Sequence, residues 1–145
     1  MKNLTWSDIF VDPSLLDFGG LLAMWPNTVT GQLRPIGASA FGDCFFERPT
    51  GQVEKLDVLE GGVHLVAKDL AEFRALMNTV SWQENNLLTQ GVALLHERGL
   101  SRLSNQFFAL APHPSFTGKI AWDKVMPMDG NVWHSICAQI LDGGA

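Results

Sequence analysis

The residue types that most often do chemistry in proteins are sparse in this chain. Its four histidines, His64, His96, His113 and His134, include no pair at the i, i+3 or i, i+4 spacing that sets two metal ligands on one helix face. This pattern favours structural or surface roles for all of them. We therefore predict neither a metal site nor a bound cofactor.

A thiol nucleophile is the next candidate. Cys44, with a histidine and an acid elsewhere in the chain, has the groups that such chemistry needs, but it lies in the aromatic stretch FGDCFFE, where a thiolate would be costly. No local signature of a cysteine hydrolase surrounds it. Because Cys44 and Cys137 fall in a predicted strand and a predicted helix, we expect two buried thiols rather than a disulfide.

Two further catalytic or phosphate-binding motifs are incomplete in this chain. Thr117-Gly118-Lys119 matches the end of a phosphate-binding loop, but that loop needs a glycine five residues before Gly118, where this chain has His113. The serines between residues 101 and 115 lack the glycine-flanked turn of a hydrolase nucleophile. No catalytic residue is predicted, and we expect this protein not to be an enzyme.

Carboxylates are plentiful, and several of them fall in the middle of the chain. Asp43, Glu47, Glu54, Asp57 and Glu60 occupy predicted strands and turns, which favours a solvated strand face over a catalytic pair. Fifteen Asp plus Glu against ten Lys plus Arg give a formal net charge of -5. Nucleic acid phosphates and anionic membranes repel such a chain, and basic partners attract it. We predict that Glu47, Glu54, Asp57 and Glu60 contribute to a partner-binding surface.

The element that must position these acids is a predicted antiparallel meander of three strands, Phe41–Glu47, Gln52–Leu59 and Val63–Ala67. Pro49-Thr-Gly51 and Glu60-Gly-Gly62 supply the turns between them. The pair Asp69 and Glu72 then matches a capping box and predicts a helix near 69–79 that lies across the sheet. The fold class predicted is α+β, with a mostly antiparallel sheet packed against several helices.

Capping patterns predict the remaining helices. Ser81-Trp-Gln-Glu84 predicts a helix near 82–97 that ends at Gly99, and Asp129-Gly-Asn131 begins a well-buried helix near 131–142. Short helices are predicted after Thr5 and Asp12, a brief helical or extended piece over 21–25, and a loop over 27–35. The 100–119 stretch is predicted as an irregular connection or one with a short strand over 106–110, before an edge strand over 120–126 that Pro127 limits.

The length and composition of the chain limit the class of protein to which it can belong. A chain of 145 residues that is 46% hydrophobic and 17% charged fits a single compact globular domain. No apolar run approaches the roughly 18 residues of a membrane span, and no signal-peptide core is evident, so we expect a cytoplasmic protein that does not bind membranes. The five tryptophans are predicted mostly in the core, with one or two near loops as interface anchors.

Two runs carry a family resemblance. The first includes Phe41-Gly42, the Gly51 turn, Asp57, Gly61-Gly62 and Phe73; the second includes Phe107-Phe108, Pro112, Gly118 and the 132–139 helix. Together they resemble the C-terminal domain family of bacterial type VI secretion immunity proteins that are paired with DNase effectors. Residues 25–35 are similar to the tail of the GAD-like segment that often precedes this domain. The chain departs at Phe116-Thr-Gly118, where relatives commonly have a double glycine.

The resemblance implies a division into an N-terminal segment, 1–35, and an immunity-type core, 36–142. It also implies a cytoplasmic antidote that binds a cognate nuclease effector, and it transfers no catalytic residue. The alternative is a small-molecule-binding or minor enzymatic domain that uses a pocket under the 100–119 loop, with His113 as its polar group. A neighbouring gene for a nuclease would favour the first hypothesis, and an isolated metabolic operon the second.

Overall fold

A computed structural model describes residues 4–143, which form an α+β fold in a single compact unit. Seven strands make a five-stranded antiparallel sheet in the order β1-β2-β3-β4-β5 and a separate two-stranded sheet of β6 and β7. The strands are β1 (Phe10–Val11), β2 (Arg34–Ser39), β3 (Cys44–Glu47), β4 (Val53–Leu56), β5 (Val63–Ala67), β6 (Gln106–Leu110) and β7 (Val125–Asp129). The helices are α1 (Trp6–Ile9), α2 (Phe18–Ala23), α3 (Leu70–Met77), α4 (Val80–Leu87), α5 (Thr89–Glu97), α6 (Pro114–Thr117) and α7 (Gly130–Leu141), with 3-10 turns at Pro13–Leu15 and Trp122–Lys124.

The predicted meander is present as β3, β4 and β5, paired antiparallel in sequence order. The first two strands are shorter than predicted, because residues 41–43 and 57–59 lie outside the ladders and form the turns that frame one end of the sheet. Gly42 there has a φ of 104°, and a Cβ would meet the Trp133 ring at 3.1 Å, so the turn requires glycine. The acids thus lie on the element predicted to carry them.

The sheet is wider than predicted, because β1 and β2 extend it. The sequence predicted a loop over 27–35 because turn-forming residues are frequent there, and Pro35 and Gly37 are unusual residues for a strand. The structure accommodates them with a register shift between Pro35 and Gly37 and with the Phe10 ring packed where a Cβ of Gly37 would lie. Residues on both sides of position 35 therefore belong to one strand.

The helix predicted near 82–97 is wrong as a single element, because the chain breaks at Leu88. That residue has a left-handed φ of 53° and separates α4 from α5. Thr79, not Ser81, caps α4. Glu84 instead accepts hydrogen bonds from the Gln90 N–H and the Thr89 hydroxyl, both at 2.9 Å. Its carboxylate therefore bonds to the first residues of the next helix, α5.

Helix α7 follows its predicted bounds closely, with Asp129 accepting N–H bonds as its cap. Its burial is one-sided. Trp133 and Cys137 are buried against α2, β6 and β7, whereas Val132 is 50% and Ile136 is 37% exposed. The prediction of a well-buried helix is wrong at Val132 and Ile136, because only one face of α7 meets the core.

The edge strand predicted over 120–126 is wrong in its bounds, because the strand found there is β7, Val125–Asp129, in the two-stranded sheet. Strand β7 begins at Val125 and continues through Pro127, which lies opposite Phe108. Proline is tolerated there because the Phe108 N–H donates to the Ala40 carbonyl at 2.8 Å, outside the β6–β7 ladder. That bond also ties the small sheet to the large one. The strand predicted at 106–110 is confirmed as β6.

Both cysteines are buried and free, as expected. Within residues 4–143, no helix combines the length and apolar character that crossing a membrane requires.

Candidate functional site

The structure brings together a cysteine–histidine pair that sequence spacing did not indicate. Cys44 Sγ lies 3.8 Å from His134 Nε2 in the core. Trp25 Nε1–H donates to His134 Nδ1 at 3.0 Å, and since an indole nitrogen only donates, the imidazole proton is on Nε2, which donates to the Gly42 carbonyl at 2.8 Å. His134 therefore has no free nitrogen with which to accept the thiol proton.

Burial works against ionisation of the same pair. It raises the pKa of Cys44 well above its ordinary value, with a further increase from the neighbouring Asp43 carboxylate, and it lowers the pKa of His134 to about 4. Both groups are neutral near pH 7. The pair holds the N-terminal segment to α7 and β3 through Trp25, which is a structural role.

Two of the four acids predicted to meet a partner are already paired at one end of the sheet. Glu47 forms an ion pair with Arg34, and Glu54 with Arg48 at 2.6 Å. Glu54 lies directly opposite Phe46, the residue before Glu47, so the two acids project from opposite faces of the sheet. They do not form one continuous acidic surface.

The other two predicted acids lie together at the opposite end, in the turn between β4 and β5. Asp57 Oδ1 accepts from the N–H groups of Leu59 at 2.9 Å and Glu60 at 2.8 Å, which fixes the turn. Glu60 is exposed, and its carboxylate has no ion-pair partner in residues 4–143. This turn presents negative charge to solvent in a defined conformation.

Asp43, counted among the meander acids but not singled out, lies beneath this turn. It is only 6% exposed, and its Oδ1 accepts the Val58 N–H at 2.9 Å. Burial first, and then repulsion from Asp57, raise the pKa of Asp43 to about 7, although Lys55 and the Val58 hydrogen bond act in the opposite direction. In the sequence, the aromatic residues around Asp43 in FGDCFFE were the signal that this side chain is buried.

A cavity of about 500 Å³ opens beside these acids. Asp43, Asp57 and Glu60 line it, and so do Lys55 and Asn86, which are joined by a hydrogen bond of 3.3 Å from Lys55 Nζ to Asn86 Oδ1. Part of its wall comes from the residue after α4 and from the segment after β6: Leu88, Pro114, Gly118, Lys119, Ile120 and Trp122. The meander acids and the 100–119 loop, two regions singled out from sequence for different reasons, meet at this site.

Close packing of α5 positions the aromatic part of that wall. A Cβ on Gly91 would lie 2.2 Å from the Trp122 ring, so the indole rests directly on the α5 backbone. Trp122 also contacts Phe41 edge to face, with ring centroids 5.8 Å apart. Its position is therefore fixed by packing.

The alternative hypothesis expected His113 to supply the polar group of this cavity, but His113 is not among the residues that line it. It is 4% exposed, its Nδ1 accepts from the Ser115 N–H at 3.1 Å, and its Nε2–H donates to the Val58 carbonyl at 2.9 Å. His113 therefore anchors the loop to the turn, and Val58 is held from both sides by His113 and Asp43.

A second cavity of about 600 Å³ lies near the N-terminus, between α1, β1 and the residues that follow α5. Trp6, the most exposed of the tryptophans at 45%, lines it with Arg102 and His96. Arg102 Nη2 donates to the Ser7 carbonyl at 2.8 Å. Across residues 4–143, no group of three or more His, Cys, Asp or Glu side chains is arranged to hold a metal ion.

No family model and no curated protein matches the chain. Among solved structures, the crystal structure of Atu4351 from Agrobacterium tumefaciens is similar, with a TM-score of 0.63 and 16% sequence identity over 92% of this chain and 67% of that chain. At this identity the likeness shows a shared fold. The comparisons thus establish the α+β architecture of the chain.

Proposed function

We propose that this protein is an immunity protein that binds a cognate type VI secretion nuclease effector in the bacterial cytoplasm and blocks its access to DNA. The observation that carries the proposal is the rigid acidic turn of Asp57 and Glu60 beside a cavity whose carboxylates lack ion-pair partners among the described residues. A nuclease must present a basic surface to DNA, and an acidic surface of defined shape is complementary to it.

The family resemblance supports the same proposal. Asp57 and Gly61-Gly62, which carry part of the resemblance, form the acidic turn, and Gly118 lies in the wall of the cavity. The formal net charge of -5 adds long-range attraction to a basic partner.

Growth rescue tests this function in cells. The product of the gene next to this one, which the proposal expects to be the nuclease effector, is expressed in a bacterial host alone and with this protein. We expect the effector alone to stop growth, and co-expression to restore growth and to yield a complex that co-purifies. Arrest that persists despite abundant, folded protein would reject the immunity function.

A small-molecule-binding role is the second candidate, favoured by the volume of the cavity and by its combination of apolar walls with a few polar groups. Native mass spectrometry of protein purified from its own cell distinguishes the two. A stoichiometric bound small molecule would favour this role, and a bound nuclease would favour immunity.

A further inference from the structure

We propose that the cavity beside Asp43 receives one basic side chain, an arginine or a lysine, from the partner protein. The inference rests on the proposed function, since the partner is the nuclease effector, and it identifies the contact at which that partner is recognised. The cavity is distinct from the two salt-bridged acids at the other end of the sheet.

Asp43 is the first reason. Its Oδ1 accepts the Val58 N–H, but Oδ2 receives no hydrogen bond from residues 4–143, although the side chain is 6% exposed and lines the cavity. An N–H group that enters the cavity meets this open acceptor, and a hydrogen bond from a cationic donor to a carboxylate is a strong one. Burial and the nearby Asp57 charge raise the pKa of Asp43, and Lys55 offsets only part of this effect.

The surrounding charges are the second reason. Three acidic residues and two lysines line the cavity, so their formal charges sum to a net negative value when Asp43 is ionised. Both ion pairs within residues 4–143 lie elsewhere, and Lys55 donates to Asn86 rather than to a carboxylate. An arriving guanidinium or ammonium group meets acids that come from separate elements and are not already neutralised.

The apolar wall fits the rest of such a side chain. Leu88, Ile120 and Trp122 line the same cavity as the acids. Arginine and lysine place a hydrocarbon stem against apolar surface while the charged head meets a carboxylate, and a cation over an indole gains further attraction. The carboxylates are not grouped to hold a metal ion within the described residues. This combination therefore favours an organic cation.

A titration with a side-chain analogue tests the cavity without any nuclease. N-acetyl-arginine methylamide is added to the isotope-labelled protein, with the citrulline derivative as its uncharged counterpart, and amide and indole NMR signals are followed. We expect saturable shifts of the Val58 and Leu59 amides and the Trp122 indole with the arginine probe only. Equal shifts with both probes, or none with either, would overturn the proposal.

Affinity for the effector tests the same contact in the complex. We expect Asp43→Asn to raise the Kd at least tenfold and Glu60→Gln severalfold, while Glu97→Gln, an equal change of charge at an exposed acid outside the cavity, stays within twofold. The amide that replaces the Asp43 carboxylate keeps an oxygen acceptor for the Val58 N–H, and Glu60 is exposed, so both variants should fold.

The two experiments separate the two claims. Effector binding that is equal for all three variants would overturn the cavity contact and leave immunity standing. An effector that fails to bind the wild type would reject the proposed function, and the probe titration would then show whether the cavity binds cations. If the free arginine derivative bound tightly, the cavity would be a site for a small cationic ligand, and the proposal that it receives a side chain of the partner would be overturned.

Discussion

At the scale of single residues, the buried polar side chains around the sheet differ in how fully they are bonded. His134 and His113 each use both ring nitrogens, and each ties together segments that are distant in sequence. Asp43 differs, because only one of its carboxylate oxygens accepts a hydrogen bond from residues 4–143. An acceptor left open beside a cavity is the feature that sets this carboxylate apart from the two histidines.

Asp43 should make stability depend on pH. Its pKa rises from an ordinary value of 3.8 to about 7 in the folded protein, so between these values the folded state holds a proton that the unfolded chain has released. The resulting stability is present at low pH and is lost as the pH rises through 7, by at most about 1.4 kcal/mol per pH unit. Asp57 and Glu60 raise the pKa of Asp43 and Lys55 lowers it, while Asp43 in turn raises the pKa of the Cys44 and Cys137 thiols.

Urea unfolding of the wild type and Asp43→Asn at pH 5, 6, 7 and 8 measures this effect. The variant cannot ionise at this position. We therefore expect the free energy of unfolding of the variant, minus that of the wild type, to increase as the pH rises toward 7. Glu97→Gln, at an exposed acid, serves as the control. A difference between Asp43→Asn and the wild type that does not change with pH would contradict the raised pKa.

At the scale of elements, the site depends on a helix break and a close helix contact. The left-handed Leu88 turns the chain between α4 and α5, and it also lines the cavity. Strain at a non-glycine residue in this conformation persists only where surrounding structure enforces it. Gly91 then lets Trp122 approach the α5 backbone and complete the wall.

Two glycine substitutions should have opposite effects for this reason. Alanine favours a helix over glycine by about 1 kcal/mol, and a Cβ added to Gly19 of α2 would have no neighbouring atom within 4 Å, so Gly19→Ala should raise stability. Gly91→Ala should lower it by about 1–3 kcal/mol, because its Cβ would meet the Trp122 ring. Tryptophan fluorescence during urea unfolding measures both effects. A Gly91→Ala protein as stable as Gly19→Ala, with an unchanged spectrum, would contradict the contact.

Local signals were sufficient for some elements and insufficient for others. Turn glycines and the Asp69 and Asp129 caps placed β5, α3 and α7, since these signals act within a few residues. The break at Leu88 escaped prediction because leucine rarely adopts a left-handed φ, so its residue type gave no signal of a helix end. The cavity joins Asp43 to Trp122, residues far apart in sequence, and no local pattern encodes that meeting.

At the scale of the whole molecule, much of the negative charge serves the fold. Ten of the fifteen acidic side chains accept backbone N–H bonds: Asp8, Asp12, Asp17, Asp43, Asp57, Asp69, Glu72, Glu84, Asp129 and Asp142. These carboxylates still contribute to the long-range field. For contact with a partner, the proposal relies on the three acids at the cavity: Glu60, which accepts no backbone N–H bond from residues 4–143, and Asp43 and Asp57, each of which uses only Oδ1 in such bonds.

Inhibition of DNA cleavage in solution tests the central claim most directly. The purified product of the gene next to this one, which the proposal expects to be the nuclease effector, is incubated with DNA and increasing amounts of this protein, and the rate of cleavage is measured. We expect cleavage to fall to background once the protein reaches a stoichiometric amount, with inhibition developing more slowly at high salt because screening weakens the attraction. Cleavage that continues at its full rate in a large excess of folded protein would contradict the account.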